Sequence, residues 1–234
     1  MDRRNFSSAC LAVSGAWALM AMEHAHALSL GSLSASDASN GVKAALEKGA
    51  TVAVGLLGRP DGFLANPRVR IPLPGSLDKA VQMLRMVGQG DRIDELVTAM
   101  NRAAEQAIPA SKDLLIDAVR SMTVSDAKGV LTGGATSVTD FFVGKTRVPL
   151  TERFLPIVTT ATARVQLEEK YNRIAGKASG MGLMKAEDAN LQRYVTGKSL
   201  DGLYLAIGDE ERKIRQDPVG SGSAVLQKVF GALQ

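Results

Sequence analysis

The sequence predicts an all-α fold, and three observations carry that prediction. Every regular stretch repeats its apolar residues with a helical period, most cleanly Ile93, Leu96, Val97, Met100, Ala104, Ala107 and Ile108. Capping residues and glycines cut the chain into segments of helical length. No motif recurs along it at a period of roughly 20 to 50 residues, so a solenoid is excluded. Together these give an irregular bundle of about eight to nine mostly short helices with one extended Pro-rich strap, in a single domain over residues 28–234.

Residues 1–27 read as a cleaved export signal. Arg3 and Arg4 supply the basic end, Ser8–Met22 is uncharged and largely apolar, and Ala25-His26-Ala27 is a small-x-small cleavage site. Arg3-Arg4-Asn5-Phe6 also fits a twin-arginine signal, with Ser7 where a leucine would strengthen it, so the twin-arginine and general secretory routes both stay open. No later window reaches the roughly 18 apolar residues a membrane crossing needs. The expected product is therefore periplasmic, with no integral membrane segment once the signal is removed.

Cutting after Ala27 removes 27 of 234 residues and has a chemical consequence. Cys10, Trp17, His24 and His26, the chain's whole supply of those three residue types, leave together. Two basic and two acidic residues leave with them, so the net charge stays at +4. Without thiol or imidazole there is no disulfide, no Cys/His zinc site, no Ser-His-Asp triad and no Cys-His pair. Carboxylate acid/base work, Ser-Lys or Tyr-Lys arrangements, carboxylate-bound Ca²⁺ or Mg²⁺, and plain binding survive. No motif here asks for a metal or a cofactor, and none is expected. Basic residues are interleaved with acidic ones and aromatics are scarce, so neither a nucleic-acid surface nor a stacking platform is expected. A chain of this size can bury roughly 70% of its unfolded surface, enough for one core without disulfides.

Ser36 or Asp37 caps a first helix to about Leu57, closed by Gly58. Arg59–Gly75 follows as the only long non-helical stretch. Pro60-Asp61-Gly62 and Asn66-Pro67 are turn signals, and Val69 and Ile71 alternate with Arg68 and Arg70 as in an edge strand or extended strap. It reads either as a binding loop or as a clamp anchored by Phe63, Leu64 and Ile71. Ser76 opens a second helix with Leu77, Val81, Leu84 and Val87 on its inner side, ending at Gly88 and Gly90. The third, from Asp91, places Asn101 and Glu105 at the rim of its apolar face and Arg102 opposite, a hydrogen-bonded border to the core or part of a binding site.

Pro109 interrupts that helix, and Ser111 caps a continuation to Met122. Thr123-Val124-Ser125-Asp126 imitates a capping box, opening a short helix that ends at Gly133-Gly134. The following LTGGATS lacks the spacing and lysine of a phosphate loop. Phe141 and Phe142 belong to another short helix stopped by Val148-Pro149, and Thr151 starts a longer one through Ile174. Gly176–Lys185 is a linker, Asp188–Gly197 is helical, and Ala224–Leu233 is a short amphipathic tail.

Between the last two lies Leu200–Asp217. Its periodicity puts Leu200, Leu203, Ile207 and Ile214 in one sector with Glu211 inside it, and Tyr204 and Arg215 at the edge. A carboxylate on an apolar face needs a partner. Arg215, four residues on, is one candidate, and an arginine from another helix is the other.

DGFLANPRVRIPLP, MNRAAEQA, MTVSDAKGVLTGGATS and LDGLYLAIGDEERKIRQDP together make the chain resemble the bacterial family called domain of unknown function 4197. The resemblance implies secretion and a helical fold but brings no activity and no catalytic residue. The segment Ser137-Val138-Thr139 to Phe141-Phe142-Val143 departs from the family's pattern. The expected function is a non-catalytic binding or interaction module with an apolar cavity or groove for a small apolar ligand or a protein partner. Its binding residues would be drawn from Glu211, Arg215, Tyr204, Asp201, Asn101 and Glu105, with Met83, Met86, Met100, Met181 and Met184 as adaptable surface. The alternatives are a carboxylate enzyme, hydrolase or lyase, using Glu211 as a general acid with Asp201, Glu210 or Tyr204 nearby, and a structural envelope protein.

Overall fold

A computed structural model describes residues 35–134, 136–163 and 189–217, with 169, 171, 172, 175 and 180 between the last two blocks. The export signal, the linker at 176–185 apart from Gly180, the tail at 224–233 and the Arg215 side chain lie outside the described residues. The chain is all-α, with no strand among its described residues. None of its described helices is long and apolar enough to cross a membrane.

Seven α-helices stand in the described residues: α1 (Ala35–Leu57), α2 (Asp78–Met86), α3 (Gly90–Ala107), α4 (Lys112–Arg120), α5 (Val124–Thr132), α6 (Ser137–Thr162) and α7 (Leu191–Gln216). Short 3-10 turns at Gly75–Leu77 and Ile108–Ser111 lead into α2 and α4. The centre is α7, which packs along α6, α1 and α3, while α6 also packs on α3. At Gly49 α1 meets α7 at ordinary packing distance, since a Cβ there would sit 3.6 Å from the Glu210 Cβ.

The expectation of eight to nine mostly short helices is corrected where four of the expected segments fuse into two helices of 26 residues each. Helix α6 runs on through Pro149 and Pro156. Proline in a helix interior costs about 3 kcal/mol. Against that, Phe142, Thr146, Leu150, Phe154, Val158 and Thr162 recur every fourth residue and are all buried, and only an unbroken helix keeps them on one stripe. Burying a Leu or Phe contributes roughly 1.5–3 kcal/mol each, so the stripe outweighs the two prolines. By the same logic α7 continues through Gly197, with Val195 and Leu200 buried on either side of it. Asn190 caps α7, its side chain accepting from the Arg193 N–H at 3.0 Å.

The expected extended strap is also corrected. Residues 59–69 run mostly in turns, with Asp61 at φ 67°, and only 70–74 continue without a turn. Pro72 and Pro74 lack ladder donors, and the described residues offer no strand to pair with. Main-chain groups of this segment are met instead by helix side chains.

The capping box at α5 is complete: Thr123 Oγ1 accepts from the Asp126 N–H at 3.1 Å, and the Asp126 carboxylate accepts from the Thr123 N–H at 3.0 Å. Thr123→Ala is expected to cost about 1 kcal/mol in a urea titration. The Thr123 N–H, then its hydroxyl, hold the Asp126 carboxyl below its ordinary 3.8. A folded-state value below the unfolded one means the contribution is complete above about pH 4 and is lost as pH falls through the folded value. Asp126→Asn should therefore flatten the acid limb of the stability curve while leaving its shape above neutrality unchanged.

Candidate functional site

Three side chains on α3 and α7 grip the segment between α1 and α2. Asn101 and Glu105 are four residues apart on α3, hence one turn apart on one face. The Ile71 N–H donates to Asn101 Oδ1 at 2.8 Å, and Asn101 Nδ2 donates back to the Ile71 carbonyl at 3.0 Å and to that of Val97 at 2.8 Å. Glu105 Oε1 accepts from the N–H groups of Phe63 at 3.0 Å and Leu64 at 3.1 Å. On α7, the Tyr194 hydroxyl donates to the Pro72 carbonyl at 3.0 Å.

Asn101 is 0% exposed and Glu105 4%, so the rim predicted from the helical wheel is interior. The wheel misplaced them because the segment folds over that edge of α3. It also set Arg102 opposite, whereas Arg102 Nη1 reaches back to Glu105 Oε2 at 2.7 Å and Nη2 to Asp61 Oδ1 at 2.8 Å. The carboxylate of Glu105, first, and then that of Asp61 push the Arg102 guanidinium above its ordinary value. Arg68 forks onto Asp209, tying the segment's far side to α7. Phe63 is fully buried where Gly202 leaves room, since a Cβ at 202 would fall 2.8 Å from the ring. Asp61, Arg68, Asp209 and Gly202 were not foreseen as parts of one arrangement. In the sequence the turn signal marked Asp61, and the alternation with Val69 and Ile71 marked Arg68.

The carboxylates around Glu211 do not gather. Asp201 is exposed and accepts from Arg147 Nη2 at 2.9 Å, and Glu210 accepts from Lys213 Nζ at 2.5 Å. Tyr204 is buried, its hydroxyl 3.0 Å from Thr146 Oγ1. Thr146 spends its own proton on the Phe142 carbonyl at 2.6 Å, so Tyr204 is the donor to Thr146. Burial pushes the Tyr204 phenol above its ordinary 10.0, partly offset by the Thr146 bond and Arg147. A phenol in that state is held protonated and does not serve as a base.

Glu211 itself is 5% exposed. It lies beside a recess between α1, α5, α6 and α7, walled by Val42, Leu46, Val130, Val138, Ile207 and Ile214 among others. The recess has a cavity volume of about 10 Å³, room for about one water molecule. Small-molecule sites are typically about 300–1,000 Å³, so this recess is not one of ligand size. Among the described residues no cluster of three acidic, histidine or cysteine side chains could hold a metal ion.

The arrangement that grips the middle of the chain is built from DGFLANPRVRIPLP and MNRAAEQA together with LDGLYLAIGDEERKIRQDP. The family described as "Protein of unknown function (DUF4197)" matches residues 32–231. The chain belongs to that family. No curated protein and no solved structure matches it. The match spans every described residue, so in this DUF4197 chain the gripped segment and all seven helices fall inside the family's own extent.

One surface of the DUF4197 fold stands apart from this interior chemistry. No described residue of α2 is fully buried: Val81 and Leu84 lean partly on the core, while Met83 (65%), Met86 (79%) and the following Val87 (70%) are exposed together. Val87, expected on the inner side, faces solvent because α2 stops at Met86 and Gly88 turns the chain at φ 76°. Asp78, Lys79, Asp91, Arg92 and Glu95 bring both signs of charge to the same hairpin.

Proposed function

We propose that this protein is an exported, periplasmic, non-catalytic interaction module that engages a protein partner through the apolar face of α2. The observation that carries the reading is the exposure of Met83, Met86 and Val87, three apolar neighbours within about one helical turn. Unbranched methionine side chains suit a surface that repacks against a partner. The mixed charges of the α2–α3 hairpin favour a protein over an anionic membrane, which would select a basic rim. The interior supports the non-catalytic part: Asn101, Glu105 and Tyr204 are committed to bonds within the fold, and Glu211 borders a recess of about one water. Of the binding modes expected from sequence, this reading takes the surface one.

The test expresses the full chain with its natural leader in the bacterial host. The periplasmic fraction is recovered and covalently cross-linked neighbours are identified for the wild type, for Met83→Glu/Met86→Glu, and for Val148→Glu as an exposed apolar control on α6. The reading expects a mature intact mass starting at Leu28 and a neighbour lost in the double variant yet kept in the control. An unchanged set of neighbours in all three chains would sink the docking claim, and protein confined to the cytoplasm would sink the address.

A further inference from the structure

Three of the residues holding the segment after α1 recognise its main chain, while Arg102 and Asp209 pair with its Asp61 and Arg68 side chains. Asn101 takes both the N–H and the carbonyl of Ile71, as a neighbouring strand would. Glu105 takes two consecutive N–H groups, at Phe63 and Leu64, and Tyr194 binds the carbonyl of Pro72. Five main-chain contacts thus come from three side chains of α3 and α7, each on a residue 6% exposed or less. Beside them Phe63 fills the space left by Gly202, and Val69 and Ile71, six and eight residues further along, are buried too. From Ile71 to Pro74 the segment makes no turn, and both main-chain groups of Ile71 bond to Asn101. Main-chain recognition beside pockets for selected side chains is the physics of peptide binding.

We infer that the groove between α3 and α7 is a peptide-recognition surface, filled in this structure by residues 61–72 of the chain itself. Its partner is a segment of another protein that takes the same course, turning after an aromatic residue and running without a turn past β-branched residues six and eight places later. None of the five contacts requires the occupant to be joined to α1 and α2. The chain's own segment acts as a tethered competitor at an effective concentration on the order of millimolar, so the groove is closed to weak ligands and open to better ones. This goes beyond the α2 reading and does not depend on it, because the Met83/Met86 variant leaves every groove residue intact.

The probe is a fluorescein-labelled synthetic peptide of residues 59–75, with a scrambled peptide of the same composition beside it. Each is titrated by anisotropy into the full chain as wild type and as Phe63→Ala, which empties one pocket of the tethered segment. The inference expects saturable binding to Phe63→Ala, at least about tenfold weaker binding to wild type because the tethered segment competes, and loss of binding in Phe63→Ala/Asn101→Ala. Folding of each variant is read from helical circular dichroism. If Phe63→Ala does not fold, Tyr194→Phe releases only the Pro72 end, and excess peptide should then speed amide exchange over residues 69–74. A folded variant that ignores the peptide, scrambled peptide binding equally well, or unchanged exchange in Tyr194→Phe overturns the inference.

Discussion

Glu105→Ala is expected to destabilise the protein by about 2–4 kcal/mol, because it strips the acceptor from two main-chain donors at once. The Phe63 N–H is buried and loses its bond outright, while the Leu64 N–H is partly buried and can recover some of its loss from water. Each orphaned buried donor costs about 1–3 kcal/mol, which sets that range. The ion pair with Arg102 adds little, since the arginine side chain is 37% exposed and solvent screens it. For a chain of this size the loss corresponds to a fall in Tm of roughly 5–15 °C. Glu105→Gln is the informative companion: its amide oxygen still accepts from both N–H groups, so it should lose no more than about half as much. Equal losses in thermal melts of the two variants would mean that charge, not acceptor geometry, holds the segment.

Gly62→Ala is expected to be at least as damaging, for a reason of space. A Cβ at 62 would lie 2.4 Å from the Leu57 carbonyl oxygen and 2.6 Å from that of Leu56, both main-chain atoms of the last turn of α1. No rotamer relieves that. The turn through Asp61 must open, and Phe63 and the contacts to Glu105 move with it. The cost should reach about 3 kcal/mol or more, the upper end for overpacking. Gly202→Ala meets the Phe63 ring at 2.8 Å, a side chain that can tilt, and should cost less. Gly55, inside α1 with nothing within 4 Å of where a methyl would stand, gives the opposite sign: alanine there should stabilise by about 0.5–1 kcal/mol. Urea midpoints at constant slope would establish the order. A Gly62→Ala midpoint close to wild type would show that the turn is looser than its contacts imply.

The two variants touch a part of the molecule that was only half legible beforehand. Turn residues at Pro60-Asp61-Gly62 and the anchors Phe63 and Ile71 could be read off the chain, because local chemistry announces them. That Asn101 and Glu105 would serve them could not, since a helical wheel knows the face of one helix and nothing of what lies across it. Glu211 illustrates the same limit from the other side. Its burial beside Ile207 and Ile214 follows from periodicity within α7, whereas the narrowness of the recess it borders depends on Val42 and Leu46 of α1 and Val130 of α5, far away in sequence.

Sequence by itself determined the helical class, the end of the first helix at Gly58, the capping box at Thr123 and the inward stripe of α7, all products of interactions within a few residues of one another. Only the tertiary structure decided that α6 passes through Pro149, that α7 passes through Gly197, and that a polar pair on α3 is sealed beneath the segment after α1. Those outcomes compare a local cost of about 1–3 kcal/mol with the burial of residues contributed by other helices. The cost is written in the neighbouring residues, but the burial that outweighs it exists only once the helices have met.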